Sequence, residues 1–181
     1  KVLVAPQKWI DLGNDKLKTY LFLEKIKVPV APFFYFDSNL EYWISGIDSR
    51  KLDDNDFPIF LKPKYGTSNK GIIKFKNLTE FKDFSLDKDK EKIVLQKSLQ
   101  LDVESFEVTS SIVISRNGRI VSNPFHAKRV LNKGISWIIE KYNSKELDKI
   151  VLAIANNMAG YIGSLNIQLW VPKREAFSHL K

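Results

Sequence analysis

The sequence contains no cysteine, only two histidines and a single methionine in 181 residues. Without cysteine there is no disulfide, no thiolate metal site and no cysteine nucleophile. The two histidines, His126 and His179, stand far apart, which leaves zinc without a ligand set. No apolar run approaches the roughly 18 residues that a membrane helix needs, and no N-terminal signal peptide is visible. These absences suit a reducing compartment, so a cytoplasmic protein without membrane attachment is expected. Acid is in short supply too: 29 Lys and Arg stand against 21 Asp and Glu, a formal net charge of +8. That balance suits nucleic acid, an anionic surface or a phosphorylated ligand.

What remains is ordinary for a globular protein, 44% hydrophobic and 28% charged. The length suffices for one large domain or two small ones with a buried core. The chain lacks an initiator Met and opens on a short apolar strand stopped by Pro6. It reads as a fragment whose residues 1–30 are the end of an upstream domain and a linking helix.

Along the chain, residues 11–14 read as a polar turn and Asp15 as the cap of a helix reaching about Lys27. Leu17, Tyr20, Leu21, Leu23 and Ile26 recur there at helical spacing. Pro29 and Pro32 end it. Residues 33–36 form an aromatic strand, and 40–47 suit a short helix. Residues 57–63 form a strand, 64–71 a loop of small residues and 72–75 a return strand, which together make a hairpin. Thr79 would cap a short helix to Phe84, followed by a strand over 93–96. Two further strands, 106–115 and 119–123, meet at Asn117-Gly118, a strong hairpin turn. A helix capped by Ser144 runs to about Ala159, and a strand spans 165–171. Strands and helices do not alternate strictly, so the fold class is α+β rather than a doubly wound sheet. Trp9, Trp43, Trp137 and Trp170 read as core or half-buried packing.

The charge distribution narrows the chemistry. Lys62, Lys64, Lys70, Lys74 and Lys76 fall in one stretch without an acid among them. A loop of Gly, Ser and Asn lets backbone N–H groups approach phosphate oxygens, while Lys62 and Lys70 offer ammonium groups to the same anion. A basic surface hairpin would look the same. A Walker-type loop is excluded, because Gly71 leads into a strand and not into a helix.

Several separated segments, taken in order, resemble the ATP-grasp superfamily and, within it, the carbamoyl-phosphate-synthetase-like ligases. The resemblance runs from about Asn14 to the end. Asp15-Lys16 looks like the pair that opens the family's first helix, which implies that Lys16 reaches nucleotide phosphates. Lys62 with Gly66, Thr67, Ser68, Asn69, Lys70 and Gly71 looks like the family's lid over the phosphates. Gln96, Lys97, Ser98 and Leu99 look like the hinge strand that meets adenine through backbone groups. Glu107 resembles the carboxylate facing the ribose, and Arg129 the arginine that steadies the transferred phosphate. Gln168 is similar to the first magnesium ligand. The resemblance implies two α+β subdomains with nucleotide bound between them, a lid over residues 31–97 and a C-terminal subdomain over 98–181. It also implies ATP and Mg as cofactors. The reaction implied activates a carboxylate or bicarbonate as an acyl-phosphate for an amine-type acceptor. Trp137 would lie on the substrate side.

The pattern breaks at the end. The family's Glu-x-Asn segment, which completes the metal site, does not follow Gln168, and Glu175 reads as part of a turn. Gln168 is also a neutral and weaker ligand for hard Mg²⁺ than a carboxylate. Two alternatives to the ligase stay open: a nucleotide-binding module without turnover, and a basic nucleic-acid-binding domain using the 62–76 cluster with Tyr65 and Phe75. A homodimer is left open, and His126 reads as structural.

Overall fold

The computed structural model describes residues 4–66, 70–84, 89–99, 105–132 and 135–172. The chain divides into two compact units, one of Ile10–Leu99 and one of Lys1–Trp9 with Gln100–Lys181.

The Ile10–Leu99 unit is built on a five-stranded antiparallel sheet in the order β2-β1-β5-β3-β4. The strands are β1 (Phe33–Asp37), β2 (Tyr42–Ser45), β3 (Ile59–Pro63), β4 (Ile73–Phe75) and β5 (Ile93–Lys97). Side chains alternate across a strand, so the register sorts them onto two faces. Phe34, Trp43, Ile59, Leu61, Phe75, Ile93 and Leu95 fill one face, against Phe81 of α3 (Leu78–Asp83). The other face carries Phe33, Phe60, Lys62 and Gln96. Gln96 lies directly opposite both Phe33 and Phe60 on its two neighbouring strands. This second face meets α2 (Lys16–Lys25), whose Tyr20 ring lies 5.3 Å from that of Phe33. Asp15 caps α2, its carboxylate accepting from the N–H groups of Leu17 and Lys18 at 2.9 and 3.1 Å.

Three local expectations change here. The polar stretch 11–14 belongs to a helix, α1 (Gln7–Asn14), so Gly13 near its end marks an exit and not a turn throughout. Residues 40–47 are not helical, because Tyr42–Ser45 pairs with β1 and places Trp43 opposite Phe36. Such aromatic and β-branched residues fit a half-buried pleated surface. The cap of α3 is Asn77 and not Thr79, its side chain accepting from the Glu80 N–H at 2.8 Å.

The second unit holds a four-stranded antiparallel sheet in the order β8-β7-β6-β9. Its strands are β6 (Phe106–Ile114), β7 (Phe125–Asn132), β8 (Ile135–Tyr142) and β9 (Gly163–Val171). One face packs on α4 (Lys145–Asn156), with Val108, Ile112 and Ile114 meeting Leu147, Val151 and Ala155. Ser144 caps α4 as the sequence suggests. The Asn117-Gly118 turn forms, with Gly118 at φ +76° and the Ser115 N–H donating to the Arg119 carbonyl at 2.9 Å. Residues 119–123 nevertheless do not make a strand. Ile120 bridges back to Ile114 and the Val121 N–H donates to the Val113 carbonyl at 3.0 Å, but β6 takes Phe125–Arg129 as its ladder partner. Trp43 is buried, but Trp137 and Trp170 are 74% and 51% exposed, so neither is core. No helix among the described residues is long and apolar enough to cross a membrane.

Candidate functional site

In the Ile10–Leu99 unit, α2 and the sheet bring together residues far apart in sequence. Lys16 and Tyr20 are four residues apart on α2 and so share a helix face. The Lys16 N–H donates to the Lys64 carbonyl at 2.9 Å, and its ammonium to the Gly66 carbonyl at 2.8 Å. The start of the helix is thereby pinned to the exit of β3. Lys62, on β3, donates from its ammonium to the Gln96 side-chain oxygen. Burial lowers the Lys62 pKa below the ordinary lysine range, and the neighbouring Lys16 charge lowers it further. Burial raises the Tyr20 pKa, and the nearby Gln96 amide offsets part of that rise. Two like charges are thus held near each other beside a glycine loop. That arrangement is unfavourable alone and relieved by an anion.

Gly66 and Gly71 frame the loop at φ +119° and +73°. A Cβ on Gly71 would meet the Pro63 ring at 3.0 Å, so glycine is required there for space and for backbone conformation. Lys70 is exposed next to Gly71. Thr67, Ser68 and Asn69 lie outside the described residues, as do Glu175 and His179.

The hinge is partly spent on its own unit. The Lys97 N–H donates to the Pro32 carbonyl and the Ser98 N–H to the Pro58 carbonyl, both at 2.8 Å. The Lys97 ammonium reaches the Asn55 carbonyl at 2.8 Å. A base meeting this strand would therefore not find the N–H groups of Lys97 and Ser98 free. Leu99, the next residue, is exposed.

In the second unit, Glu107, Thr109, Arg129 and Gln168 share the sheet face turned away from α4. Glu107 pairs in register with Arg129, and Thr109 with Gln168. Arg129 lies inside β7. Its guanidinium donates to the Glu107 carboxylate, and its Nε to the Ser136 hydroxyl at 2.6 Å. Glu107 is therefore a paired carboxylate and not an open one. On the opposite face His126 is buried. Its Nδ1 lies 2.8 Å from the Ser110 hydroxyl and its Nε2 3.0 Å from Asp148. The trio has the residue types of a hydrolytic triad, but Ser110 is fully buried and cannot meet a substrate. It ties α4 to the sheet.

Magnesium can be tested against the donors present. Among the described residues no three of His, Asp and Glu converge. Gln168 is neutral, and Glu107 is engaged by Arg129. These residues do not form a magnesium site by themselves.

Sequence reading missed Tyr20 and Ser136. The four-residue step from Lys16 could have flagged Tyr20; nothing local flags Ser136, whose partner lies across a strand pair.

Each unit thus carries its own set of side chains, a lysine-lined glycine hairpin on one sheet and a paired acid and arginine on the other. No family model matches the sequence, and no curated protein matches it. Solved structures do. N5-carboxyaminoimidazole ribonucleotide synthetase from Thermus thermophilus aligns at TM-score 0.65 and 17% identity, over 93% of this chain and 44% of that one. The biotin carboxylase domain of 2-oxoglutarate carboxylase from Hydrogenobacter thermophilus, solved with MgADP, ADP and bicarbonate, aligns at 0.62 and 14%, over 94% and 39%. L-amino acid ligase from Bacillus licheniformis aligns at 0.55 and 15%, over 90% and 38%. The chain has the ATP-grasp fold. It spans less than half the length of these structures.

Proposed function

We propose that this chain is the nucleotide-binding part of an ATP-dependent ligase that activates a carboxylate or bicarbonate as an acyl-phosphate for an amine-type nucleophile. One observation carries the reading: Lys16 of α2, Lys62 and Gly66 of the hairpin, and Gln96 of β5, from three separate segments, are assembled in one unit. Similar solved structures carry carboxylase, synthetase and ligase names, and one holds bicarbonate with MgADP. In this reading Lys16 and Lys62 neutralise the polyphosphate, and Lys70 with the glycine loop closes over it. The Lys97 carbonyl and the Leu99 N–H are left to meet adenine.

Chemically, a carboxylate oxygen attacks the terminal phosphorus and the bond to the ADP oxygen breaks. The amine then adds to the acyl carbon and phosphate leaves. Such transfer is largely positioning and charge neutralisation. Arg129 would steady the transferred phosphate once released from Glu107. Mg²⁺ bound with the nucleotide would supply further charge neutralisation, toward which Gln168 offers only a neutral oxygen.

Calorimetric titration with ATP and ADP, with and without Mg²⁺, tests the reading. ATP binding that weakens about tenfold or more in Lys62→Met is the expected result, a change of about 1.4 kcal/mol. Absence of binding by the chain, alone or within its full-length protein, would sink it.

A second reading, a nucleotide-binding module without turnover, is favoured by the neutral Gln168 and the engaged Glu107. It expects nucleotide binding with no phosphate released under any acceptor.

A further inference from the structure

The Lys62 ammonium donates to a side-chain acceptor, the Gln96 amide oxygen. Tyr20, on the helix that also carries Lys16, packs on Phe33 over the same sheet face, and the Gln96 amide favours its ionised form. Three elements thus meet in one line: α2 through Tyr20, the central strand β5 through Gln96, and β3 through Lys62. The line is braced. Tyr20 leans on Phe33 at 5.3 Å between ring centres, Phe33 is fully buried, and Phe33 is the register partner of Gln96. Lys62 also sits 5.8 Å from the centre of the Phe60 ring, and Phe60 is the other register partner of Gln96.

The residue type at 96 decides what this line can do. A carboxylate there would orient Lys62 equally well, but would cancel its charge and repel an incoming phosphate. An apolar side chain would leave the ammonium unaimed. A carboxamide offers an oxygen to the ammonium and an N–H to the tyrosine oxygen, and adds no charge. We propose that Gln96 is a neutral positioning residue, aiming the Lys62 ammonium at a bound polyphosphate without neutralising it, and that Tyr20 fixes the orientation of its amide. The inference deepens the nucleotide reading above and rests on it for the identity of the anion. It extends that reading by assigning discrimination between charged and uncharged ligands to residue 96.

The test is calorimetric titration of the chain and of Gln96→Glu, Gln96→Met and Tyr20→Phe with ATP, adenosine and inorganic tripolyphosphate, each variant first checked for a cooperative melt. Gln96→Glu is expected to weaken ATP and tripolyphosphate about tenfold or more, a change of about 1.4 kcal/mol. Adenosine should stay within about twofold, because it carries no charge for Lys62 to meet. Gln96→Met should fall between parent and Gln96→Glu for the anions, and Tyr20→Phe should lose about threefold, as for one modest hydrogen bond.

Unchanged anion affinity in Gln96→Glu overturns the proposal while leaving nucleotide binding intact. An equal loss for adenosine overturns it as well, since Gln96 would then be shaping the pocket and not the charge. If the parent binds tripolyphosphate in a Gln96-dependent way but binds neither ATP nor adenosine, the nucleotide reading falls and the positioning role stands. If the parent binds none of the three, both fall.

Discussion

Glu107 and Arg129 lie directly opposite each other on adjacent antiparallel strands, and each satisfies the other's charge. Both side chains are only 13% exposed. Removing one partner leaves the other charge largely buried, a loss that ordinarily costs several kcal/mol. Because some solvent access remains, Glu107→Gln or Arg129→Met should cost about 3 kcal/mol, the low end for such pairs. The Glu107→Gln/Arg129→Met double variant should recover much of it. Urea unfolding of the four proteins gives the coupling; strictly additive losses would show that the pair contributes nothing beyond its parts.

Lys62 should make stability and binding depend on pH in a defined direction. Burial, then Lys16, lowers its pKa in the folded chain. Between that lowered value and the ordinary lysine value, the unfolded chain binds more protons than the folded one. Stability therefore rises with pH through that window, and below it the fold carries the full penalty of the buried charge. Lys62→Met should abolish the rise. A bound polyphosphate favours the charged ammonium, so binding in the window should take up a proton and weaken as pH climbs. Titrations in two buffers of different ionisation enthalpy check this, with unequal apparent enthalpies expected for the parent and equal ones for Lys62→Met.

The hairpin of β3 and β4, the strand β5 and the helix α4 are legible in the sequence because each carries its own signal: a buried apolar run, a turn, or a side-chain cap. Lys16 and Lys62 can be picked out from order and spacing along the chain. Whether they meet cannot, because that depends on α2 packing over β1, β5 and β3. The pairing of Glu107 with Arg129 is hidden for a related reason. They are 22 residues apart, and a strand over residues 119–123 would give β6 a different partner and register. Trp137 and Trp170 mislead because bulk and apolarity alone suggest burial. On a strand they can equally mark the exposed face.

Asp56 is expected to be the most acid-sensitive hold on the loop before β3. It is 1% exposed and accepts from Arg50 at 2.5 and 2.8 Å and from the Asp53 N–H at 3.0 Å. Burial pushes its pKa up, but the Arg50 and Asp53 hydrogen bonds, with Arg50 and Lys97 charge, leave it lowered overall. Its contribution is then fully present above the ordinary Asp value and is lost as pH falls through the lowered folded value. Asp56→Asn should cost about 1.5–3 kcal/mol, the range for hydrogen bonds to a charged group, because Arg50 is partly exposed and keeps Asp48 and Asp53 as partners. It should also flatten the acid limb of a stability profile followed by thermal melting. An unchanged acid limb would show that other carboxylates set it.

Gly46 should tolerate no side chain, and the reason lies at the candidate site. Its N–H donates to the Phe33 carbonyl at 3.0 Å, and a Cβ added there would fall 2.0 Å from Phe33 Cε2 and 2.2 Å from Cζ. The Phe33 ring must move, yet it is fully buried and supports Tyr20. Overpacking of this kind costs about 1–3 kcal/mol. Gly46→Ala should therefore lower the melting temperature and, by displacing Tyr20 from Gln96, weaken ATP more than adenosine. The double variant Gly46→Ala/Phe33→Leu separates the two effects. A smaller side chain at 33 relieves the clash and should restore part of the stability lost in Gly46→Ala, but it cannot restore the support beneath Tyr20. Stability should therefore recover while the ATP deficit persists. If both recover together, Phe33 is only filling space and Tyr20 does not depend on it.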